Sequence, residues 1–312
     1  MPTRAKVGIV GAGNVGGTCA QRILERDLAD VALVDVVDGL AAGKALDLAE
    51  AAPVEGHDRQ IVGSTAYDIL SGAQVVVITA GLARKPGMSR SDLLEANAKI
   101  VASIVPQVVA HAPEAVLITV TNPLDIMTYL TWKLARFPAA RVVGMAGVLD
   151  TARFRYFIAQ RLRVSVREVS AMVLGGHGDS MVPLPRYTTV AGVPLPSLLP
   201  AEEVERLIQR TRDGGAEVVK LLKSGSAFYA PASSVADMAQ AMLRDEHRLL
   251  PCCAYLTGQY GLKEIFCGVP AKLSAQGVEE VVELSLTDAE RAALHLSAQD
   301  VRKDIDALAP AA

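Results

Sequence analysis

The residues best suited to chemistry lie in three short stretches. His177 ends the apolar run Ala171-Met-Val-Leu174 and sits among Gly175, Gly176 and Gly178. A histidine at a strand end with glycines on both sides has room for a ligand beside it. A neutral imidazole can take a proton from a hydroxyl and return it, which suits alcohol–carbonyl interconversion. Such a base needs a partner on its other ring nitrogen. Asp150 is a candidate, but sequence alone does not bring into contact two residues 27 positions apart. Arg153 follows Asp150 by one helical turn in Leu149-Asp-Thr-Ala-Arg-Phe154, so the two share a face. That spacing suits either a surface ion pair or a guanidinium fork for a carboxylate. The third stretch, Arg84-Lys-Pro-Gly-Met-Ser-Arg90, puts two arginines around a Pro-Gly loop of the kind that closes over a site. Asn122, in Val120-Thr-Asn-Pro123, either donates its amide to a carbonyl or begins the turn before the proline.

These residues need a frame to converge on. Short apolar runs alternate with amphipathic stretches through the first half of the chain, as in βαβ units. The pattern predicts strands at Val7–Val10, Val31–Asp35, Gln60–Gly63, Gln74–Thr79, Val116–Thr119 and Arg141–Val143. It predicts helices at Asn14–Arg26, Arg90–His111 and Asp125–Leu134. The class is α/β: a Rossmann doubly wound parallel sheet over residues 1–145. From about residue 146 the rhythm changes to helix Val148–Arg161, then Pro-punctuated β segments (Val169–Leu174, Tyr187–Leu195, Ala254–Gln259, Glu264–Leu273) with helices at Glu202–Lys223, Val235–Leu243 and Thr287–Leu308. Residues 146–312 read as a mixed α+β catalytic domain, with no linker-like break before it.

Gly11-Ala12-Gly13-Asn14-Val15-Gly16 joins the first strand to the first helix. The first glycine makes the tight turn, the second lets backbone approach a pyrophosphate, and the third packs helix on strand. The helix N-terminus then offers N–H groups to the phosphates. The next strand ends in Asp35, whose carboxylate suits ribose hydroxyls and repels a 2′-phosphate, pointing to NAD rather than NADP.

Composition narrows the partners. The chain has 312 residues, 51% hydrophobic and 21% charged, with net charge −3, so nucleic acid and anionic membranes are poor matches for its surface. The four cysteines (Cys19, Cys252, Cys253, Cys267) lack metal-ligand spacing and read as buried free thiols in a reducing compartment. A strand begins within a few residues of the N-terminus and apolar runs such as Val75–Ala80 are short, so a cytoplasmic location is expected without signal peptide or span.

Taken in order, these motifs resemble the lactate/malate dehydrogenase superfamily, specifically the malate dehydrogenases built on the lactate-dehydrogenase-like plan. The resemblance rests on Gly11–Gly16, Asp35, Arg84–Arg90 with the following Ser-Asp-Leu-Leu, Val-Thr-Asn122-Pro-Leu-Asp, Gly-Val-Leu-Asp150-Thr-Ala-Arg153, Gly-Gly-His177-Gly-Asp and Gly225-Ser-Ala-Phe-Tyr-Ala-Pro-Ala. It implies that His177 is the proton acceptor and Asp150 its orienting partner. It further implies that Arg153 holds the C1 carboxylate and that Arg90 polarises the reacting carbonyl from the lid. Asn122 would touch substrate and cofactor, with Asn97 and the Val120-Thr121-Asn122 backbone lining the NAD site. The resemblance also suggests a homo-oligomer, a tetramer or else a dimer.

Arg84 falls where lactate dehydrogenases resemble one another in carrying glutamine. A closed site containing Arg84 is balanced by a second carboxylate at C4, present in malate and oxaloacetate and absent from lactate and pyruvate. With pyruvate the guanidinium would be buried unpaired, a penalty on the order of 3–5 kcal/mol. The expected activity is therefore NAD-dependent interconversion of malate and oxaloacetate. The alternatives are a lactate or other 2-hydroxy-acid dehydrogenase, if Arg84 points away, and a non-catalytic NAD-binding module.

Overall fold

The computed structural model describes residues 4–82 and 90–308, with Arg90 described in its backbone only. Its first half is built from β1 (Lys6–Val10), α1 (Asn14–Glu25), β2 (Asp30–Val34), α2 (Leu40–Glu55), β3 (Ile61–Ser64), β4 (Val75–Ile78), α3 (Arg90–His111), β5 (Val116–Thr119), α4 (Leu124–Ala135) and β6 (Val142–Gly144). These strands are short and mostly apolar because both sheet faces are covered by helices. β1, β4 and β5 are buried at nearly every position.

The second half begins with α5 (Gly147–Leu162). Five two-residue strands follow: β7 (Val169–Ser170), β8 (Val173–Leu174), β9 (Val182–Pro183), β10 (Thr189–Val190) and β11 (Val193–Pro194). Then come α6 (Leu195–Leu198), α7 (Ala201–Leu222), α8 (Tyr229–Leu243), β12 (Arg248–Thr257), β13 (Lys263–Ser274), β14 (Gly277–Val281) and α9 (Asp288–Asp306). The start of α9 is written locally: Thr287 Oγ1 accepts from the Glu290 N–H at 3.2 Å while Glu290 returns an oxygen to the Thr287 N–H at 2.8 Å.

Among the described residues nine strands form one sheet, in the order β14-β13-β12-β6-β5-β4-β1-β2-β3. Strands β6-β5-β4-β1-β2-β3 are parallel and doubly wound, with the order reversing between β1 and β4. Ligands bind at such a reversal, beyond the carboxyl ends of the strands. The antiparallel strands β12–β14 continue the same sheet through the pairing Cys253↔Gly144. That continuity across the two halves was not expected from the sequence pattern. Helix α2, with Pro53 in its last turn, lies between strands where the alternation calls for a helix, though its bounds were not predicted, and strand β14 was unanticipated.

One large core runs through both halves, from Val7 and Ile9 to Phe266 and Leu294. A smaller one, with Phe154, Ile158, Leu195 and Leu207, sits under α5 and α7. Helix α3 is long and apolar enough over Ser91–His111 to cross a membrane by length and composition. Here it lies along α4, with Val101, Val105 and Val108 fully buried. All four cysteines are buried and free, and burial pushes the Cys19 thiol up to about 12 and raises those of Cys252, Cys253 and Cys267 as well.

Candidate active site

The glycine loop lies at the end of β1, beside the reversal point. Gly11 has φ +105°, and a Cβ there would come within 2.6 Å of the Ala80 nitrogen, so neither conformation nor space admits a side chain. A Cβ on Gly16 would run into the Gly11 carbonyl oxygen, which explains the close approach of α1 to the turn. Around the Cβ position of Gly13 there is open space. No side chain caps α1 at Gly13, so the first-turn N–H groups face outward, the arrangement that receives phosphate oxygens.

Asp35 closes the far side of this loop. Its Oδ2 accepts the Ala12 N–H at 2.6 Å and its Oδ1 the Val37 N–H at 3.0 Å, which fixes the carboxylate while leaving lone pairs for a ribose diol. Lys44, from α2, brings a positive charge to the same loop, its Nζ 3.2 Å from the Gly13 carbonyl oxygen. These residues fit a dinucleotide.

Beyond the loop opens a cleft of about 880 Å³, lined by Val15, Val120, Thr121, Asn122, Leu149 and His177 among others. Thr121 is held by donation of its hydroxyl to the Ala80 carbonyl at 2.7 Å. Asn97 is fully buried behind this wall. Its amide donates to the carbonyls of Leu82 (3.2 Å) and Asn122 (2.6 Å), and its Oδ1 accepts the Leu82 N–H at 2.7 Å. Its side chain therefore braces two segments of the wall. Arg84 lies outside the described residues, as does the side chain of Arg90.

The sequence left open whether Asp150 reaches His177. It does: His177 Nδ1 lies 2.8 Å from Asp150 Oδ2, with Asp150 only 2% exposed. A carboxylate only accepts, so Nδ1 carries the hydrogen and Nε2 is left as the free acceptor. Asp150 also pairs through Oδ1 with Arg153 Nη1 at 3.3 Å. The pair on one helix face is thus no surface ion pair but part of a partly buried Arg153–Asp150–His177 chain centred on the buried Asp150. Room for Arg153 comes from α7, where a Cβ on Gly214 would lie 3.1 Å from the arginine Cδ. Glycine inside a helix costs about 1 kcal/mol relative to alanine, and its place here is set by the guanidinium stem.

Burial depresses the basicity of His177, but Asp150, through its charge and hydrogen bond, and the charge of Asp125 outweigh burial and the opposing Arg153, so the imidazole titrates above 6.5. Asp125, in the first turn of α4, was not assigned a role from sequence. It is 3% exposed, and burial raises its carboxyl above the ordinary range. Its Oδ2 accepts the backbone N–H of His177 at 2.7 Å.

The glycines before His177 do not do what the sequence suggested. A Cβ on Gly175 would come within 2.8 Å of Ser297 Oγ and one on Gly176 within 2.9 Å of a Val301 methyl, so both make way for α9 rather than for a ligand. The Cβ position of Gly178 faces open space, as expected.

Two family models cover the chain: the lactate/malate dehydrogenase NAD-binding domain over residues 5–144 and the lactate/malate dehydrogenase alpha/beta C-terminal domain over residues 147–310. The chain belongs to the lactate/malate dehydrogenase family. Among its relatives, the malate dehydrogenase of Thermomicrobium roseum is 57% identical over 305 residues, covering 98% of each chain. The solved malate dehydrogenase of Salinibacter ruber superposes with a TM-score of 0.93 at 48% identity, covering 96% of both chains. A lactate dehydrogenase of Cryptosporidium parvum, solved with lactic acid and nicotinamide adenine dinucleotide, superposes at 0.96 with 40% identity over the whole of both. Within the lactate/malate dehydrogenase family the backbone therefore does not separate the two activities, and side chains in the cleft must.

Proposed function

We propose that this protein is an NAD-dependent malate dehydrogenase, catalysing the reversible oxidation of (S)-malate to oxaloacetate. The observation that carries the reading is the His177–Asp150 contact of 2.8 Å at the wall of a cleft that opens from a dinucleotide loop. NAD, when bound at Gly11–Gly16 and Asp35, supplies the acceptor for the hydride that leaves C2.

The chain's own residues handle the proton and the charge. His177 Nε2 takes the C2 hydroxyl proton as the C2–H electron pair departs as hydride, and the O–H bonding pair left on oxygen becomes the second C–O bond. Asp150 stabilises the imidazolium this creates, and its hydrogen bond to Nδ1 keeps Nε2 aimed at the substrate. Arg153, held by Asp150, supplies a guanidinium for the C1 carboxylate. In the reverse direction the imidazolium returns the proton to the carbonyl oxygen. Arg90 polarises that carbonyl and Arg84 pairs with the C4 carboxylate.

A lactate dehydrogenase is the rival reading, favoured by the likeness to the Cryptosporidium parvum enzyme at a TM-score of 0.96. The arginine at position 84 supports malate instead, since a buried guanidinium there is balanced only by a second carboxylate. NADH oxidation measured with oxaloacetate and pyruvate side by side tests the choice: a preference for oxaloacetate of roughly two decades or more in kcat/KM is expected from an unpaired buried guanidinium. Comparable rates would reduce the reading to a general 2-hydroxy-acid dehydrogenase, and turnover of neither would remove it. We place the enzyme in the cytoplasm, in the tricarboxylic acid cycle, as a homo-oligomer, a tetramer rather than a dimer. Net charge −3 supports independence from nucleic acid and anionic membranes.

A further inference from the structure

His177 depends on its backbone as much as on Asp150. The ring is aimed by the peptide that carries it, and that peptide lies in a loop whose neighbours Gly176 and Gly178 have no side chains with which to anchor it. Three consecutive N–H groups are nonetheless held, each by a different element. The Gly175 N–H donates to the Gly268 carbonyl of β13 at 2.8 Å. The Gly176 N–H donates to Ser297 Oγ of α9 at 2.8 Å, and the His177 N–H donates to Asp125 Oδ2 of α4 at 2.7 Å. Ser297 is fully buried and in turn donates its hydroxyl hydrogen to Ser180 Oγ at 3.1 Å, tying the two ends of the loop together.

Asp125 is the unusual member of this set. It is nearly fully buried, and among the described residues its Oδ1 accepts no N–H or O–H, with the Cys253 thiol as its polar neighbour. A carboxylate so poorly served in the core is a costly way to hold a helix start. Its well-made hydrogen bond goes to the peptide of the proton-transfer residue.

We infer that Asp125, assisted by Ser297, is a positioning residue for the proton transfer: it fixes the His177 peptide so that Nε2 meets the substrate hydroxyl. The inference rests on the dehydrogenase reading for its kinetic consequence but not for its structural one. Asp125 touches neither substrate nor cofactor and acts through His177. The feature it needs is the acceptor oxygen, which asparagine also provides.

The test compares Asp125→Ala, Asp125→Asn and Ser297→Ala with the native chain. Removing the acceptor in Asp125→Ala lowers kcat for oxaloacetate reduction by about a hundredfold, the loss that a displacement near 1 Å brings, with KM for NADH within about twofold because the dinucleotide loop is untouched. Asp125→Asn restores most of kcat. Ser297→Ala, the milder change should Asp125→Ala not fold, loses about tenfold in kcat, the equivalent of one hydrogen bond. Amide hydrogen–deuterium exchange over the peptide containing Gly176 and His177 accelerates in Asp125→Ala and not in Asp125→Asn. A folded Asp125→Ala with kcat within twofold of native overturns the inference, as does an Asp125→Asn no better than alanine or unchanged exchange at the two amides. Should the native chain turn over neither oxaloacetate nor pyruvate, the functional reading falls, while the exchange comparison still decides whether Asp125 holds the loop.

Discussion

Two glycine-rich loops follow strands in this molecule, and they use their glycines in opposite ways. At Gly11–Gly16 the glycines turn backbone outward: the Cβ position of Gly13 opens on free space, and the main fixing contact comes from Asp35, 23 positions from Ala12. At Gly175–Gly178 the first two glycines let other parts of the chain in: Asp125, 52 positions from His177, and Ser297, 121 positions from Gly176. One loop is built to offer N–H groups to a ligand; in the other the N–H groups are spent on holding a side chain still. Glycine spacing alone does not distinguish binding backbone from clamped backbone. What separates them is where each N–H finds its acceptor.

The sharpest way to break the contrast is to remove the ring that the second loop exists to present. His177→Asn is expected to lower kcat by about 10²–10⁴-fold, the range of a lost general acid–base, while NADH still binds. Stopped-flow turnover beside a fluorescence titration of NADH checks both, and parallel loss of binding would mean the two loops are one unit.

Arg84→Gln leaves both loops intact and should reduce the preference for oxaloacetate over pyruvate by roughly two to three decades in kcat/KM. A ratio that does not move would place Arg84 away from the substrate.

The pH dependence reads the second loop through Asp150. Because the folded imidazole titrates above 6.5, oxaloacetate reduction, which needs the imidazolium, is full at low pH and falls as pH rises through that raised value. Malate oxidation, which needs the neutral ring, rises through the same midpoint. The same shift stabilises the fold below the unfolded pKa and is lost as pH rises through the folded one. Asp150→Asn removes the charge that raises it, so the midpoint should move down; rate profiles with an unshifted midpoint would assign the titration to another group.

The smallest effects separate glycines within the first loop. Gly16→Ala forces a methyl onto the Gly11 carbonyl and should cost about 1–3 kcal/mol of stability. Gly13→Ala should change stability by no more than about 0.5 kcal/mol yet weaken NADH binding severalfold. Thermal unfolding with and without NADH distinguishes them, and equal destabilisation by the two would show that Gly13 packs against protein rather than facing a ligand.

The sequence made some of this visible because the physics there is local. β5 is found where its apolar run predicts it, Val116–Thr119, and α3 fills Arg90–His111 as expected. The first loop was legible for the same reason: strand, turn, helix and Asp35 lie in one short segment. The bounds of helix α2 were not, since its alanine-rich stretch has a proline at Pro53 and only Ala41 and Ala45 are buried, leaving little apolar period to read. The Asp150–His177 contact stayed undecided until the fold supplied it, because helix spacing says nothing about a strand end 27 positions away. Asp125 and Ser297 carried still less signal. An aspartate in a first helical turn and a serine in the last helix have ordinary local explanations, and their targets are peptide N–H groups that no side-chain pattern marks.

The pairing of Cys253 with Gly144 carries one more consequence. Strand β6 is the last of the parallel strands, and its outer edge is covered by β12, which arrives more than a hundred residues later. A fragment ending near residue 145 would carry the whole dinucleotide fold and yet display that edge bare. Unpaired strand edges recruit other strands. During synthesis the nascent first half therefore waits with an open seam, and the chain is safe from sticking to its neighbours only once its own later segment has closed it.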